Sequence, residues 1–252
     1  IESDRSKGAQ ATVESNRFTD NVGAVRALVT GDAARCHPEG GGMAIRGMSE
    51  TVIAGNVFEG NVAVRNLTVR GDGSVKWGGR PAGGGLYASE SYSMTVSGNQ
   101  FLGNITALRQ TVRDVESGSE GGGLAVINVD NAAILDNEVL RNTALVTGSI
   151  TSNAGENLGV QGGGLMLACW DNPACEMLVE GNDIADNLAA QTIARQGADA
   201  RGGANGGGLN IAVSRVTLRE NTITGNVSLA NGNQGGGGAV DVYDATLTME
   251  RN

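Results

Sequence analysis

Apolar and polar residues alternate along this 252-residue chain in units that recur from one end to the other. In the unit from Gly83 to Asn104, three glycines precede a period-2 apolar run, an asparagine, an apolar residue two places on and a second asparagine. Alternation of this kind puts one set of side chains on a buried face and the other in water. Helical templates do not fit, because glycine and β-branched residues fill the interior of every unit.

Two markers fix the units. The glycine runs are Gly40–Gly42, Gly83–Gly85, Gly121–Gly123, Gly162–Gly164, Gly206–Gly208 and Gly235–Gly238. The asparagine pairs, always five residues apart, are Asn16 and Asn21, Asn56 and Asn61, Asn99 and Asn104, Asn137 and Asn142, Asn182 and Asn187, and Asn221 and Asn226. A period of this length is typical of stacked repeats, in which each unit buries its apolar face only against its neighbours.

The pattern predicts an all-β fold, a right-handed, single-stranded parallel β-helix of about six to seven coils. Each coil would hold three strands, for example Leu86–Ala88, Met94–Ser97 and Phe101–Ala107. The glycines suit a corner that needs positive φ or close approach. The asparagines suit turns, where each amide can bond to the asparagine of the next coil, and we expect these twelve residues to form structural ladders.

The rest of each coil reads as a long loop leaving one corner. The loops are 26–39, 65–82, 108–120, 146–161, 191–205 and 230–234, and side by side they would form a wall along one edge. We expect residues 1–252 to form a single β-helix domain and to be a fragment of a longer solenoid, because neither end carries a capping sequence.

The glycine run followed by leucine, as in Gly83-Gly84-Gly85-Leu86, is paired with Phe-x-x-Asn, as in Phe101 to Asn104. This pairing resembles the repeats of the chlamydial polymorphic outer-membrane proteins, and more broadly bacterial surface proteins with right-handed β-helix passengers. The resemblance covers almost the whole chain. It implies a β-helix exposed at a cell surface.

The net charge and the cysteines bear on the partners and on the cellular location of the protein. The formal net charge of −9 argues against nucleic acid as a partner, since nucleic-acid binding needs a basic face. Cys169 and Cys175 flank an insert in the fifth unit, and a disulfide between them would imply an oxidising, extracellular setting. The alternative is two reduced cysteines in a loop. Cys36 has no obvious partner, and no transmembrane run is present.

Two groups of residues are candidates for chemistry. The first is a carboxylate cluster that an enzyme could use, unless it is only a solvated face with one ion pair between coils: Asp136, Glu138, Asp183 and Asp186. The second is a set of loop residues that could bind a partner: Arg65, Arg70, Trp77, Arg80, Arg109, Arg113 and Trp170. The tryptophans could stack on sugar rings or simply cover their own coil. The sequence indicates no catalytic motif, cofactor or metal site, and His37 is the only histidine.

These observations favour a non-enzymatic, extracellular structural or adhesive segment of a surface or fibrous assembly. Its partners would be further coils of the same polypeptide, end-to-end or lateral contacts between copies, or a surface glycan or neighbouring protein. The alternative is a carbohydrate-active enzyme, a polysaccharide lyase or hydrolase on a pectate-lyase-like β-helix. Carboxylates and basic residues converging in one groove would favour the enzyme.

Overall fold

The computed structural model describes residues 8–30, 37–71, 78–152, 155–170, 175–231 and 235–252. The described chain winds as a parallel β-helix, so the predicted fold class is confirmed. Its strands form five parallel sheets, which we number I to V in the order in which one coil passes through them after a glycine run. Within the described residues there is no helix long and apolar enough to cross a membrane.

Sheets I to III form the first half of every coil. Sheet I contains β4 (Met43–Arg46), β8 (Leu86–Ser89), β13 (Leu124–Ile127), β18 (Leu165–Ala168), β23 (Leu209–Ala212) and β27 (Val240–Val242). Sheet II contains β1 (Gln10–Glu14), β5 (Glu50–Ala54), β9 (Ser93–Ser97), β14 (Asn131–Leu135), β19 (Glu176–Glu180), β24 (Arg215–Arg219) and β28 (Thr246–Glu250). Sheet III contains β2 (Arg17–Thr19), β6 (Val57–Glu59), β10 (Gln100–Leu102), β15 (Glu138–Leu140), β20 (Asp183–Ala185) and β25 (Thr222–Thr224).

Sheets IV and V form the second half. Sheet IV contains β3 (Val22–Thr30), β7 (Val62–Arg70), β11 (Ile105–Arg113), β16 (Thr143–Thr151), β21 (Leu188–Gln196) and β26 (Val227–Asn231). Sheet V contains β12 (Ser117–Glu120), β17 (Asn157–Gln161) and β22 (Arg201–Asn205). The predicted third strand therefore ends early, at Leu102, and a separate strand of a different sheet begins at Ile105.

Three of the segments predicted as long loops, 108–120, 146–161 and 191–205, are largely strands, which corrects their assignment; in 26–39 and 65–82 the sheet IV strand continues to Thr30 and Arg70. In 108–120, for example, β11 continues to Arg113 and β12 covers Ser117–Glu120. The reason is a polar interior. Gln110 is fully buried; it donates to Ser117 Oγ (2.7 Å) and Gly118 O (3.1 Å) and accepts from Ser119 Oγ (2.7 Å). Such residues interrupt the apolar alternation from which a strand is read.

Each coil encloses two separate cores. The first lies between sheets I, II and III and includes Leu86, Met94 and Phe101. At its centre the rings of Phe18, Phe58 and Phe101 stack, with centroids 4.8 and 4.9 Å apart. The second core lies between sheets IV and V and includes Leu67, Val112, Ile150 and Leu158. A coil is thus two lobes joined at a narrow waist.

Glycine makes the waist possible. A Cβ on Gly84 would lie 2.3 Å from Gly122 O and 2.5 Å from the carbonyl carbon of Ile105, the first residue of the sheet IV strand. A Cβ on Gly85 would lie 3.1 Å from the side-chain Cγ of Asn104. The same approach recurs at Gly41, Gly122, Gly163 and Gly207. The first glycine of the run turns the chain instead, as at Gly83, where φ is +64°.

The twelve paired asparagines form two hydrogen-bonded columns, in which each amide except that of the last residue, Asn226, donates to the Oδ1 of the asparagine one coil further on. The first column contains Asn16, Asn56, Asn99, Asn137, Asn182 and Asn221, and Asn252 extends it. The second contains Asn21, Asn61, Asn104, Asn142, Asn187 and Asn226. Burial is uneven along the second column: Asn187 is 1% exposed, whereas Asn226 is half-buried and Asn21 is exposed. The ladder bonds of the middle coils are therefore shielded from water, and those of Asn21 are not.

Each asparagine in the middle of a column makes the same set of bonds. Asn104 Nδ2 donates to Asn142 Oδ1 (3.0 Å) and to Phe58 O (2.8 Å). Its Oδ1 accepts from both the N–H and the side chain of Asn61 (3.0 Å each). The left-handed residue at each turn is the one before the asparagine, for example Gly103 (φ +60°) or Asp136 (φ +52°). The asparagines therefore stabilise the turn by hydrogen bonding, without adopting positive φ themselves.

Candidate functional site

The outside of the waist is a groove between sheets I and V, which we call the waist groove. One wall is the column of residues that directly precede the glycine runs: Glu39, Ala82, Glu120, Gln161 and Asn205. The other is the second residue of each sheet I strand: Ala44, Tyr87, Ala125, Met166, Asn210 and Asp241. Both columns are in register from coil to coil, so the groove repeats its walls about every 4.8 Å.

The two walls meet in an apolar floor, to which the wall residues Ala82, Tyr87, Ala125 and Met166 also contribute. Sheet I turns Leu86 and Ala88 into the first core, and the alternate residues face the groove. There they form a third, smaller cluster made of Ala82, Tyr87, Ala125, Ile127, Met166, Ala168 and Ala212. All of these are buried although they lie outside both lobes. Four of them, Ala82, Tyr87, Ile127 and Ala212, line cavities of the groove, so the floor that a ligand would meet there is apolar.

Two arginines each join a carboxylate to an aromatic ring in this groove. Arg46 forms an ion pair with Glu39, and its Cζ lies 5.4 Å from the centroid of the Tyr87 ring. Arg80 forms an ion pair with Glu120, and its Cζ lies 5.9 Å from the centroid of the Trp170 ring. Both distances are in the range of cation–π contacts. The charges of the groove are thus held in fixed positions before any ligand arrives.

Burial dominates the chemistry of Glu120. Loss of solvation raises the pKa of its carboxyl above the ordinary value of 4.5, and the nearby Arg80 guanidinium offsets only part of that effect. The folded protein therefore binds this proton more tightly than the unfolded chain. The tighter proton binding adds to the free energy of unfolding at low pH. This addition is lost as the pH rises from about 4.5 towards the pKa of Glu120 in the folded protein.

This gives a pH prediction. The free energy of unfolding of the wild-type protein, minus that of Glu120→Gln, should decrease as the pH rises above about 4.5. Glutamine keeps the shape of the side chain but cannot lose a proton. Urea unfolding of both proteins at a series of pH values measures the difference. A difference that stays constant or increases with pH would contradict the raised pKa.

The insert in the fifth unit carries Trp170 to the groove. Cys169 and Cys175 form a disulfide, as predicted, with Cα atoms 6.4 Å apart. Next to it, the backbone N–H of Trp170 donates to Asn128 Oδ1 (2.8 Å). Trp170 is 46% exposed and lines two neighbouring cavities, one of about 150 Å³ beside His37 and one of about 640 Å³ beside Tyr243. Together the disulfide and this hydrogen bond fix Trp170 above the groove.

The larger cavity has a polar end. Asn210 is 1% exposed, and its Nδ2 donates to Asp241 Oδ2 (3.0 Å). Its Oδ1 has no hydrogen-bond partner among the described residues, and the same holds for Oε1 of Gln161 on the facing wall. Tyr243, 70% exposed, borders the same cavity. A buried acceptor without a partner costs free energy, which a ligand hydroxyl could recover.

The structure divides the predicted binding residues between two surfaces. Arg80 and Trp170 meet in the waist groove. Arg65, Arg70, Arg109 and Arg113 are exposed on sheet IV, away from it. Trp77 and Cys36 lie outside the described residues.

The predicted carboxylate cluster lies on and beside sheet III. Glu138 and Asp183 are in register on β15 and β20, and Glu138 Oε2 accepts a hydrogen bond from Gln100 Nε2 (3.0 Å). Asp136 and Asp186 occupy exposed turns with positive φ. Within the described ranges, no group of three His, Cys, Asp or Glu side chains could hold a metal ion.

Sequence reasoning missed most of the groove, namely Glu39, Tyr87, Glu120, Asn210 and Tyr243. A signal for one wall was available, since a polar residue directly precedes the glycine run at Glu39, Glu120, Gln161 and Asn205. Comparisons of the chain with family models, curated proteins and solved structures gave no match. The function must therefore be argued from the site itself.

Proposed function

We propose that this chain is a non-enzymatic, extracellular adhesive segment that binds a carbohydrate chain along the waist groove. The observation that carries the proposal is the groove itself, which runs across successive coils and brings an apolar floor, aromatic rings and ion-paired charges together. An extended ligand, such as a chain of sugar units, can contact more of this groove than a compact ligand can.

The chemistry of the walls suits sugars. Trp170 and Tyr243 offer flat apolar faces for the C–H surfaces of sugar rings. Asn210, Gln161 and Asp241 offer acceptors for hydroxyl groups, of which two lack partners among the described residues. Support for an extracellular location comes from the Cys169–Cys175 disulfide and from the resemblance of the repeats to those of chlamydial polymorphic outer-membrane proteins.

A direct test is sedimentation of the protein with insoluble polysaccharides, followed by affinity measurement on soluble fragments of those that bind. We expect Trp170→Ala and Asn210→Leu to weaken binding on the order of tenfold each, since each removes a ring contact or a hydrogen bond worth about 1 kcal/mol or more. Tyr92→Ala is the matched control, because Tyr92 is an exposed aromatic residue outside the groove. Wild-type affinity in both groove variants, with thermal stability unchanged, would refute the proposal.

One observation favours the enzyme alternative. Glu39 and Glu120 meet Arg46 and Arg80 in a single groove, which is the convergence expected of a lyase or hydrolase of acidic polysaccharides. Each carboxylate is, however, ion-paired with an arginine, which favours a binding role. Incubation with the polysaccharide that binds, followed by assays for new reducing ends and for unsaturated products, separates the two functions. Turnover that Glu120→Gln abolishes would favour the enzyme.

A further inference from the structure

We propose that the outer face of sheet IV is a second binding surface, distinct from the waist groove, and that its ligand is an anionic polysaccharide. Five arginines are exposed there on three neighbouring strands: Arg26, Arg65, Arg70, Arg109 and Arg113. We call this surface the arginine face. The arginine face is positively charged, whereas the whole chain has a net charge of −9.

The arginine face places like charges next to each other. Arg70 and Arg113 are in register on adjacent strands, and Arg26 and Arg109 flank Asn66 in a parallel column. Adjacent strands are about 4.8 Å apart, and like charges directly opposite each other are destabilising. A folded protein that keeps such an arrangement gains from a ligand that supplies the missing negative charge.

Three arginines on other sheets are paired with carboxylates of a neighbouring coil. Arg17, Arg215 and Arg219, on sheets II and III, each form an ion pair with a glutamate of the neighbouring coil. On the arginine face, the described ion pairs include only Arg113 with Asp114, its neighbour in sequence (3.2 Å). Among the described residues, the guanidinium groups of this face are therefore exposed without a carboxylate from the next coil.

Hydroxyl groups lie between the arginines. Thr68, Thr111 and Ser149 form a register column, and Ser149 Oγ donates to Thr111 Oγ1 at 3.5 Å. Planar guanidinium groups bind carboxylates and sulfates through two parallel hydrogen bonds, and hydroxyl side chains can bond to the hydroxyls of a sugar. This mixture fits a polysaccharide that carries carboxylate or sulfate groups. DNA supplies anionic groups for the arginines but few hydroxyl groups for the threonine and serine column, so it matches only part of this surface. DNA binding and self-association are therefore the competing outcomes of the experiment.

The experiment measures retention of the full chain on immobilised heparin and on immobilised polygalacturonate, as sulfated and carboxylated probes, with neutral dextran as the blank. We expect binding that weakens with added salt. The double variant R70E/R113E should bind on the order of tenfold or more weakly, since it replaces two charged hydrogen-bond donors with carboxylates that repel the probe. The control is Arg141→Glu, an exposed arginine beside sheet III.

The outcomes separate this surface from the waist groove. Trp170→Ala should retain wild-type binding to the anionic probes, and R70E/R113E should retain groove binding to the polysaccharide that sediments the protein. Equal retention of wild type and R70E/R113E, with both folded by thermal melting, would overturn the proposal. So would stronger binding to DNA than to either probe, or self-association that only the wild type shows.

Discussion

Replacing Phe101 with aspartate is expected to lower the free energy of unfolding by roughly 5 kcal/mol. The ring is fully buried between Phe58 and Val139 in the first core, where no described side chain carries a positive charge. The variant loses the ring contacts and must bury an unpaired carboxylate. Because each coil is stabilised only by its neighbours, the damage in this middle coil also separates the coils on its two sides.

Urea unfolding measured by circular dichroism tests this result. Phe101→Leu keeps an apolar side chain and should cost less than about half as much. Tyr92→Asp places the same charge where an aromatic residue is 60% exposed and should change stability little. Wild-type stability in Phe101→Asp would mean that the ring does not face the core.

Replacing Gly84 with valine is expected to lower the free energy of unfolding by more than about 3 kcal/mol, the second large effect. Its Cβ would meet Gly122 O at 2.3 Å and the carbonyl carbon of Ile105 at 2.5 Å. Both are backbone atoms, so no side-chain rotation relieves the clash and the two lobes must separate. The variant should unfold at lower temperature and denaturant concentration, with a loss of strand signal beyond one coil.

Gly103→Asp is the matched control for Gly84→Val. Gly103 has φ +60°, but nothing lies within 4 Å of the added Cβ, and Asp186 occupies the equivalent turn two coils on, with φ +56°. The cost should be about 1 kcal/mol, from the left-handed backbone alone. Equal destabilisation by the two substitutions would contradict the close approach at the waist.

The first lobe could be predicted from the sequence in detail. Its apolar positions alternate without interruption around the asparagine pairs, and this alternation alone places Met94, Val96 and Phe101 on the inward side, where all three are buried. From the sequence alone, the glycine runs have two explanations: a turn that needs positive φ, or a close approach between segments of backbone. Both apply, at different residues: Gly83 turns the chain and Gly84 makes the contact.

The second lobe and the waist groove could not be predicted. Buried Gln110 and Ser119 made a strand interior look like a loop, since their burial depends on partners that only the fold brings together. Glu120 reads as a solvated charge until sheet V places it against Arg80. Arg80 and Trp170 are far apart in the sequence, and an insert closed by a disulfide brings them together.

The asparagine columns also have a consequence for folding kinetics. Every ladder bond joins residues that lie 31 to 45 positions apart, that is, in successive coils, for example Asn16 to Asn56 and Asn221 to Asn252. A finished coil therefore offers the next one asparagine N–H donors already in place, whereas a first coil has no preceding coil to guide it. We expect a slow nucleation step followed by rapid addition of coils, so that the rate of refolding is set by whichever pair of coils forms first.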